Sequence, residues 1–128
     1  MPRVLIVDDQ AHVRNAIVIA MQASGFEASG VEDAPSALRQ FEAQSFDLAI
    51  VDVYMPNIDG VKLIKSLRER APDLPIIAMS GVMLNESQRT ALEFLPKLPG
   101  MSDIVCLQKP FRSVELLRAV RAAFKIAA

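Results

Sequence analysis

Apolar residues fall along this chain in short runs separated by stretches of helical spacing. Val4-Leu5-Ile6-Val7, Phe46 to Val51 and Leu74 to Met79 are rich in aliphatic and β-branched residues, as in strands buried on both faces. Phe26 to Val31 and Asp103 to Leu107 read as two further strands. Between these runs the period changes to that of a helix. From about Gln10 to Ser24, Val13, Ile17, Ala20, Met21 and Ser24 share one face, and Gly25 supplies the stop. Asp33 predicts an N-cap for a helix to about Gln44, with Pro35 tolerated in its first turn. Asp59-Gly60 opens a third helix, with Val61, Ile64 and Leu67 inward and Lys62, Lys65, Arg68 and Glu69 outward, ending before Pro72. Asn85 with Gln88 forms a capping box for a fourth helix to about Leu95, and Ser113 caps a last one to about Ile126. Five strand–helix units in a row predict an α/β fold, a doubly wound five-stranded parallel sheet with helices on both faces.

Composition narrows the class. The 128 residues are 52% hydrophobic and 23% charged, which predicts one globular domain over 1–128 that needs neither disulfide nor structural metal. A formal net charge of -1 offers no basic field for nucleic acid. The single cysteine, Cys106, excludes an internal disulfide and agrees with a reducing compartment; its apolar neighbours predict an inert core thiol. The first apolar run is too short for a signal-peptide core, and no run has the length of a membrane span. The expected location is cytoplasmic.

The chemistry gathers at strand ends. Asp8 and Asp9 follow the first run, Asp52 follows the third, Ser80 the fourth, and Lys109-Pro110 the fifth. Singly, each has an ordinary explanation: a turn, a helix start or a solvated cation. Together they occupy the carboxyl edge of a parallel sheet, where ligands bind. Three carboxylates meeting there would repel one another unless a cation joined them, and an all-oxygen set suits Mg²⁺ better than zinc or copper.

In these residues the chain resembles the receiver domain of two-component response regulators. The matching positions are Asp8-Asp9, Asp52 with Met55-Pro56-Asn57-Ile58-Asp59-Gly60 after it, Ser80-Gly81 and Lys109-Pro110-Phe111. The resemblance implies a flavodoxin-like fold with five helices and strand order 2-1-3-4-5. It also implies phosphoryl transfer from a histidine kinase or histidine phosphotransfer protein to Asp52, then hydrolysis. Asp9 and Asp52 would bind Mg²⁺ directly, Asp8 mainly through a water, and the backbone carbonyl of Tyr54 would complete the protein's ligands. Lys109 would pair with phosphoryl oxygens and the Ser80 hydroxyl would donate to one. A downstream protein or a further output domain would receive the signal, and the last helices would serve homodimerisation. Because nothing follows the last helix, the expectation is a stand-alone regulator or a receiver cut from a longer protein.

Three features depart from the family pattern. Cys106 stands where receivers usually carry Tyr or Phe, three residues before the lysine. The 28 residues between Ser80 and Lys109 are more than most receivers use, with the excess in Pro96-Lys97-Leu98-Pro99-Gly100-Met101-Ser102. Switching is therefore expected to rely on the Ser80 loop and residues 96–102. Tyr54 and Val82 flank the phosphorylation position and crowd the path of an attacking water, which predicts a long-lived phosphorylated state.

Other residues have plain readings. His12 is expected on a helix surface, with an approach to the metal as the alternative. The apolar run Ala16 to Met21 is expected in helix packing, with a partner surface as the alternative. Arg112, Arg118, Arg121 and Lys125 are expected on a solvated face, with contact to an acidic partner as the alternative. Two other functions fit the same fold. A phosphorylation-independent interaction module would commonly lack an acid or the lysine, and all are kept. A small-molecule phosphatase would want a second acid two residues after the nucleophile, where Tyr54 stands.

Overall fold

The computed structural model describes residues 1–55, 58–81, 97 and 100–127, with the side chains of Tyr54, Met55, Ile58, Asp59, Ser80, Ile126 and Ala127 excepted. The first half alternates β1 (Arg3–Val7), α1 (Ala11–Ala23), β2 (Glu27–Val31), α2 (Ala34–Ala43) and β3 (Leu48–Asp52). Then come the two-residue strands β4 (Tyr54–Met55) and β5 (Ile58–Asp59), α3 (Gly60–Arg70), β6 (Ile76–Ser80), β7 (Val105–Gln108) and α4 (Ser113–Ala127). The helix expected from Asn85 to Leu95 lies outside the described residues, as does Val82.

β1, β2, β3, β6 and β7 form one sheet in the order β2-β1-β3-β6-β7, every neighbour parallel. Counting those five strands alone, this is the order 2-1-3-4-5 that the resemblance implies. Side chains alternate across the central strands and divide the core in two. Leu5, Val7, Ala49, Val51 and Ala78 face Ala37, Leu63, Ile64 and Leu67 of α2 and α3. Val4, Ile6, Leu48, Ile50, Ile77 and Met79 face Ile17 and Met21 of α1 and Leu116, Val120 and Ala123 of α4.

Local chemistry sets several boundaries as expected. Gly25 takes φ 92°, which only glycine adopts freely, and ends α1. The Asp33 side chain accepts a hydrogen bond from the Ser36 N–H at 2.8 Å and caps α2. Other boundaries differ. Pro75 carries no N–H, and β6 starts after it, at Ile76 rather than Leu74. Residues 101–104 form a turn, with Ile104 N–H donating to the Met101 carbonyl, so β7 starts at Val105 rather than Asp103. Ser113 is the first residue of α4 rather than its cap; the Glu115 carboxylate accepts from the Arg112 N–H instead. Ser24 lies exposed at the end of α1, its hydroxyl donating to the Ala20 carbonyl, rather than on the buried face.

Two expectations about packing are corrected. Ile19 is 65% exposed, so the apolar run in α1 is only partly packed. Arg68 does not face outward. Its guanidinium donates to the carbonyls of Leu74 and Gly100 and pairs with Asp103, tying the end of α3 to the approach to β7.

Candidate functional site

Strand register brings the predicted residues to one edge. Val7 lies opposite Val51, so Asp8 and Asp52 are the next residues along neighbouring strands. Asp52 pairs with Met79, which puts Ser80 one step beyond it. Ser80 pairs with Gln108, and Lys109 follows. The carboxyl ends of four strands thus supply the acids, the hydroxyl position and the lysine.

Asp8 is fully buried, yet all four of its polar atoms are bonded. Its N–H donates to the Val31 carbonyl at 3.1 Å, and its carbonyl accepts from Arg14 Nη1 at 2.8 Å. Oδ1 accepts from the Gln10 N–H at 2.9 Å, and Oδ2 from Lys109 Nζ at 2.6 Å. The same ammonium donates to Asp52 Oδ2 at 3.0 Å. Asp52 is 4% exposed. Burial by itself would lower the Lys109 pKa. Its hydrogen bonds to Asp8 and Asp52, and their charges, outweigh that effect and hold it above the ordinary value. The lysine is therefore a fixed positive charge between two buried carboxylates, which makes their burial tolerable.

Asp9 differs in kind. It is exposed, and among the described residues its carboxylate makes no hydrogen bond or ion pair. Ligand oxygens of Asp8, Asp9 and Asp52 nevertheless lie within 4.8 Å of one another. Three carboxylates at that spacing, one of them open to water, form an all-oxygen donor set on one side only. The residues fit a hard divalent cation that keeps several waters, as Mg²⁺ does.

Gly60 and Arg14 were not assigned these contacts from the sequence. Gly60 starts α3 directly against the backbone of Asp52 and Val53. A Cβ there would fall on Val53 Cα and within 2.7 Å of the Asp52 carbonyl oxygen. The sequence places this glycine at a tight helix entry, but not the strand backbone it touches. Arg14 carries no motif signal; only its bond to Asp8 reveals it. Ser80 and Tyr54 are at the expected edge by backbone position: Ser80 ends β6, and Tyr54 pairs with Asp59 across a short antiparallel ladder.

Cys106 is exposed rather than a core thiol. It lies on an edge strand whose Leu107 alone is buried, although nearby protein still pushes the thiol pKa up through desolvation. His12 is exposed on α1, as expected, and so are Arg112, Arg118, Arg121 and Lys125. No helix among the described residues is long and apolar enough to cross a membrane.

Known proteins resemble this chain in sequence and in fold. Residues 4–121 match the response regulator receiver domain. The Sensory transduction protein RegX3 of Mycolicibacterium smegmatis is 31% identical over 98% of this chain and 51% of its own length. The Transcriptional regulatory protein PrrA of Mycobacterium leprae is 33% identical over 97% of this chain and 50% of its own. The chain thus spans about half the length of the curated relatives it matches. Among solved structures, a sensor protein from Polaromonas sp. JS666 superposes with a TM-score of 0.82, at 29% identity, covering 99% of this chain and 98% of that one. The response regulator protein TrrA from Thermotoga maritima, in complex with Mg(2+)-BeF, gives 0.74 at 27% identity, covering 96% and 99%. With the family match over residues 4–121 and the strand order in agreement, the chain belongs to the response regulator receiver domains.

Proposed function

We propose that this domain accepts a phosphoryl group onto Asp52 from the phosphohistidine of a histidine kinase or histidine phosphotransfer protein. It then signals by a change of conformation to a downstream protein or output domain. The observation that carries this reading is the Lys109 ammonium set between Asp8 and Asp52, at 2.6 and 3.0 Å, beside the open carboxylate of Asp9. Phosphoryl transfer asks a protein mainly for positioning and for positive charge near the equatorial oxygens.

One Asp52 oxygen forms the new bond to phosphorus as the P–N bond of the phosphohistidine breaks, and the electron pair leaves with the imidazole. Lys109 pairs with a phosphoryl oxygen, and the Ser80 hydroxyl donates to another. Asp8, Asp9 and Asp52, together with the backbone carbonyl of Tyr54, would hold Mg²⁺. The ion, when bound, offsets the negative charge gathered on the transferring group. Hydrolysis by water later returns Asp52 to its free carboxylate. The similar protein TrrA is in complex with Mg(2+)-BeF, which supports the use of Mg²⁺ by this domain as well. A cytoplasmic location and no direct nucleic-acid contact by this domain fit a net charge of -1 and a phosphohistidine donor.

Incubation with acetyl phosphate and Mg²⁺, followed by intact mass, tests the reading. The chain should gain one phosphoryl group, only with Mg²⁺ present, and Asp52→Asn should gain none. Full labelling of Asp52→Asn, or no labelling of the unaltered chain, rejects it.

A further inference from the structure

We propose that Arg14, seated over Gly30, is a positioning residue that aims Asp9 at the metal; the inference rests on the receiver reading above. Asp9 has no side-chain partner among the described residues, so its direction depends on its backbone. The peptide linking Asp8 to Asp9 presents the Asp8 carbonyl, and Arg14 Nη1 donates to that oxygen at 2.8 Å. A guanidinium is planar and keeps its charge, so it fixes the carbonyl's direction more firmly than a water would. Fixing that carbonyl fixes the plane from which the Asp9 side chain leaves.

Arg14 can reach the carbonyl only because its stem crosses the end of β2. A Cβ at Gly30 would come 2.9 Å from Arg14 Cγ, 3.1 Å from Cδ and 3.2 Å from Val18 Cγ2. These are mid-chain atoms, which cannot swing away as a side-chain tip can. No positive φ calls for glycine at this position, so the absent side chain is explained by the passage of Arg14. Arg14 is half-buried there, one turn into α1 and on the same cleft as Val31. Asp8 itself is held by three further bonds and does not depend on Arg14 alone. The effect of losing Arg14 should fall chiefly on Asp9.

The test is the dissociation constant for Mg²⁺, measured by calorimetry on the full chain with no phosphodonor. Residues behind a metal ligand commonly tune affinity by 10- to 100-fold when removed, so Arg14→Ala should raise the constant by roughly 10-fold. Arg14→Lys, which keeps one cationic donor, should recover part of it. Gly30→Ala, which keeps the guanidinium but crowds its stem, should weaken binding in the same direction. Labelling with acetyl phosphate should shift to higher Mg²⁺, with the rate at saturating Mg²⁺ falling less than the rate at limiting Mg²⁺. A purely structural role would lower the melting temperature and leave that split unmoved, which overturns the proposal. So does an unchanged constant in Arg14→Ala, or in Gly30→Ala if the former does not fold. An unaltered chain that binds Mg²⁺ but takes no phosphate defeats the receiver reading while the comparison of constants still stands. An unaltered chain that binds no Mg²⁺ defeats both.

Discussion

Lys109 carries the electrostatics of the site at the scale of one residue. Its ammonium is the counter-charge to two carboxylates that are 0% and 4% exposed. Removing one partner of a buried ionic cluster leaves the remaining charges unpaired, a change that costs about 3–5 kcal/mol. Lys109→Met keeps the length of the side chain and removes the charge. It should therefore lower stability by about that amount at neutral pH without Mg²⁺, as read from urea unfolding. A loss below about 1 kcal/mol would show that water already screens the two acids. The acids and the lysine were legible in the sequence because each ends a strand-like run or follows one closely. Arg14 was not, since its bond goes to a backbone oxygen, which no residue type encodes. Cys106 was misread because Val105-Cys106-Leu107 is a continuous apolar run. Such a run does not distinguish a central strand from an edge strand closed on one face.

The joint between β3 and α3 decides where Asp52 stands at the scale of elements. α3 begins so close to the strand that Gly60 touches the backbone of Asp52 and Val53. Gly60→Ala cannot be absorbed by a side-chain rotation, because the atoms in the way are backbone. It should cost at least the 1–3 kcal/mol typical of overpacking, and it should slow labelling of Asp52 by displacing it. Normal stability with normal labelling would mean that the helix slides without moving the strand. At α2 the controlling group is Asp33, whose pKa is lowered from 3.8 by hydrogen bonds from Ser36. A group with a lowered folded-state pKa contributes stability above its unfolded value and loses it as pH falls through the folded one. The chain should thus lose stability through this group below about pH 3.8, and Asp33→Asn, which caps without titrating, should show a shallower acid limb. Equal slopes in the two acid titrations would remove Asp33 from the account. Element types were legible from period and caps. Arg68 escaped because two of its partners, Gly100 and Asp103, lie 32 and 35 residues away in sequence.

On the proposed function, the two neighbouring acids divide the work of folding from the work of binding at the scale of the whole molecule. Asp8 is buried with every polar atom bonded, whereas Asp9 is exposed and held only through its backbone. Without Mg²⁺, Asp8→Asn replaces one of two accepting oxygens by an NH2 group, so a donor faces either the Lys109 ammonium or the Gln10 N–H. The loss should be about 1.5–3 kcal/mol, the range for a hydrogen bond to a charged group. Asp9→Asn breaks no contact and relieves repulsion among three carboxylates whose oxygens lie within 4.8 Å of one another, so without Mg²⁺ it should raise stability rather than lower it. Mg²⁺ should reverse their ranking as the sensitive position. An ion that binds only the folded chain stabilises it by mass action, about 2.7 kcal/mol at a hundred times its dissociation constant. The unaltered chain should gain that increment. On the proposed ligand roles, Asp9→Asn should gain little at the same concentration, and Asp8→Asn, whose oxygen would act through a water, should keep a larger part. Urea unfolding followed by circular dichroism, with and without Mg²⁺, gives all of these differences from one protocol. An Asp9→Asn chain stabilised by Mg²⁺ as strongly as the unaltered one would show that the exposed acid is not a ligand.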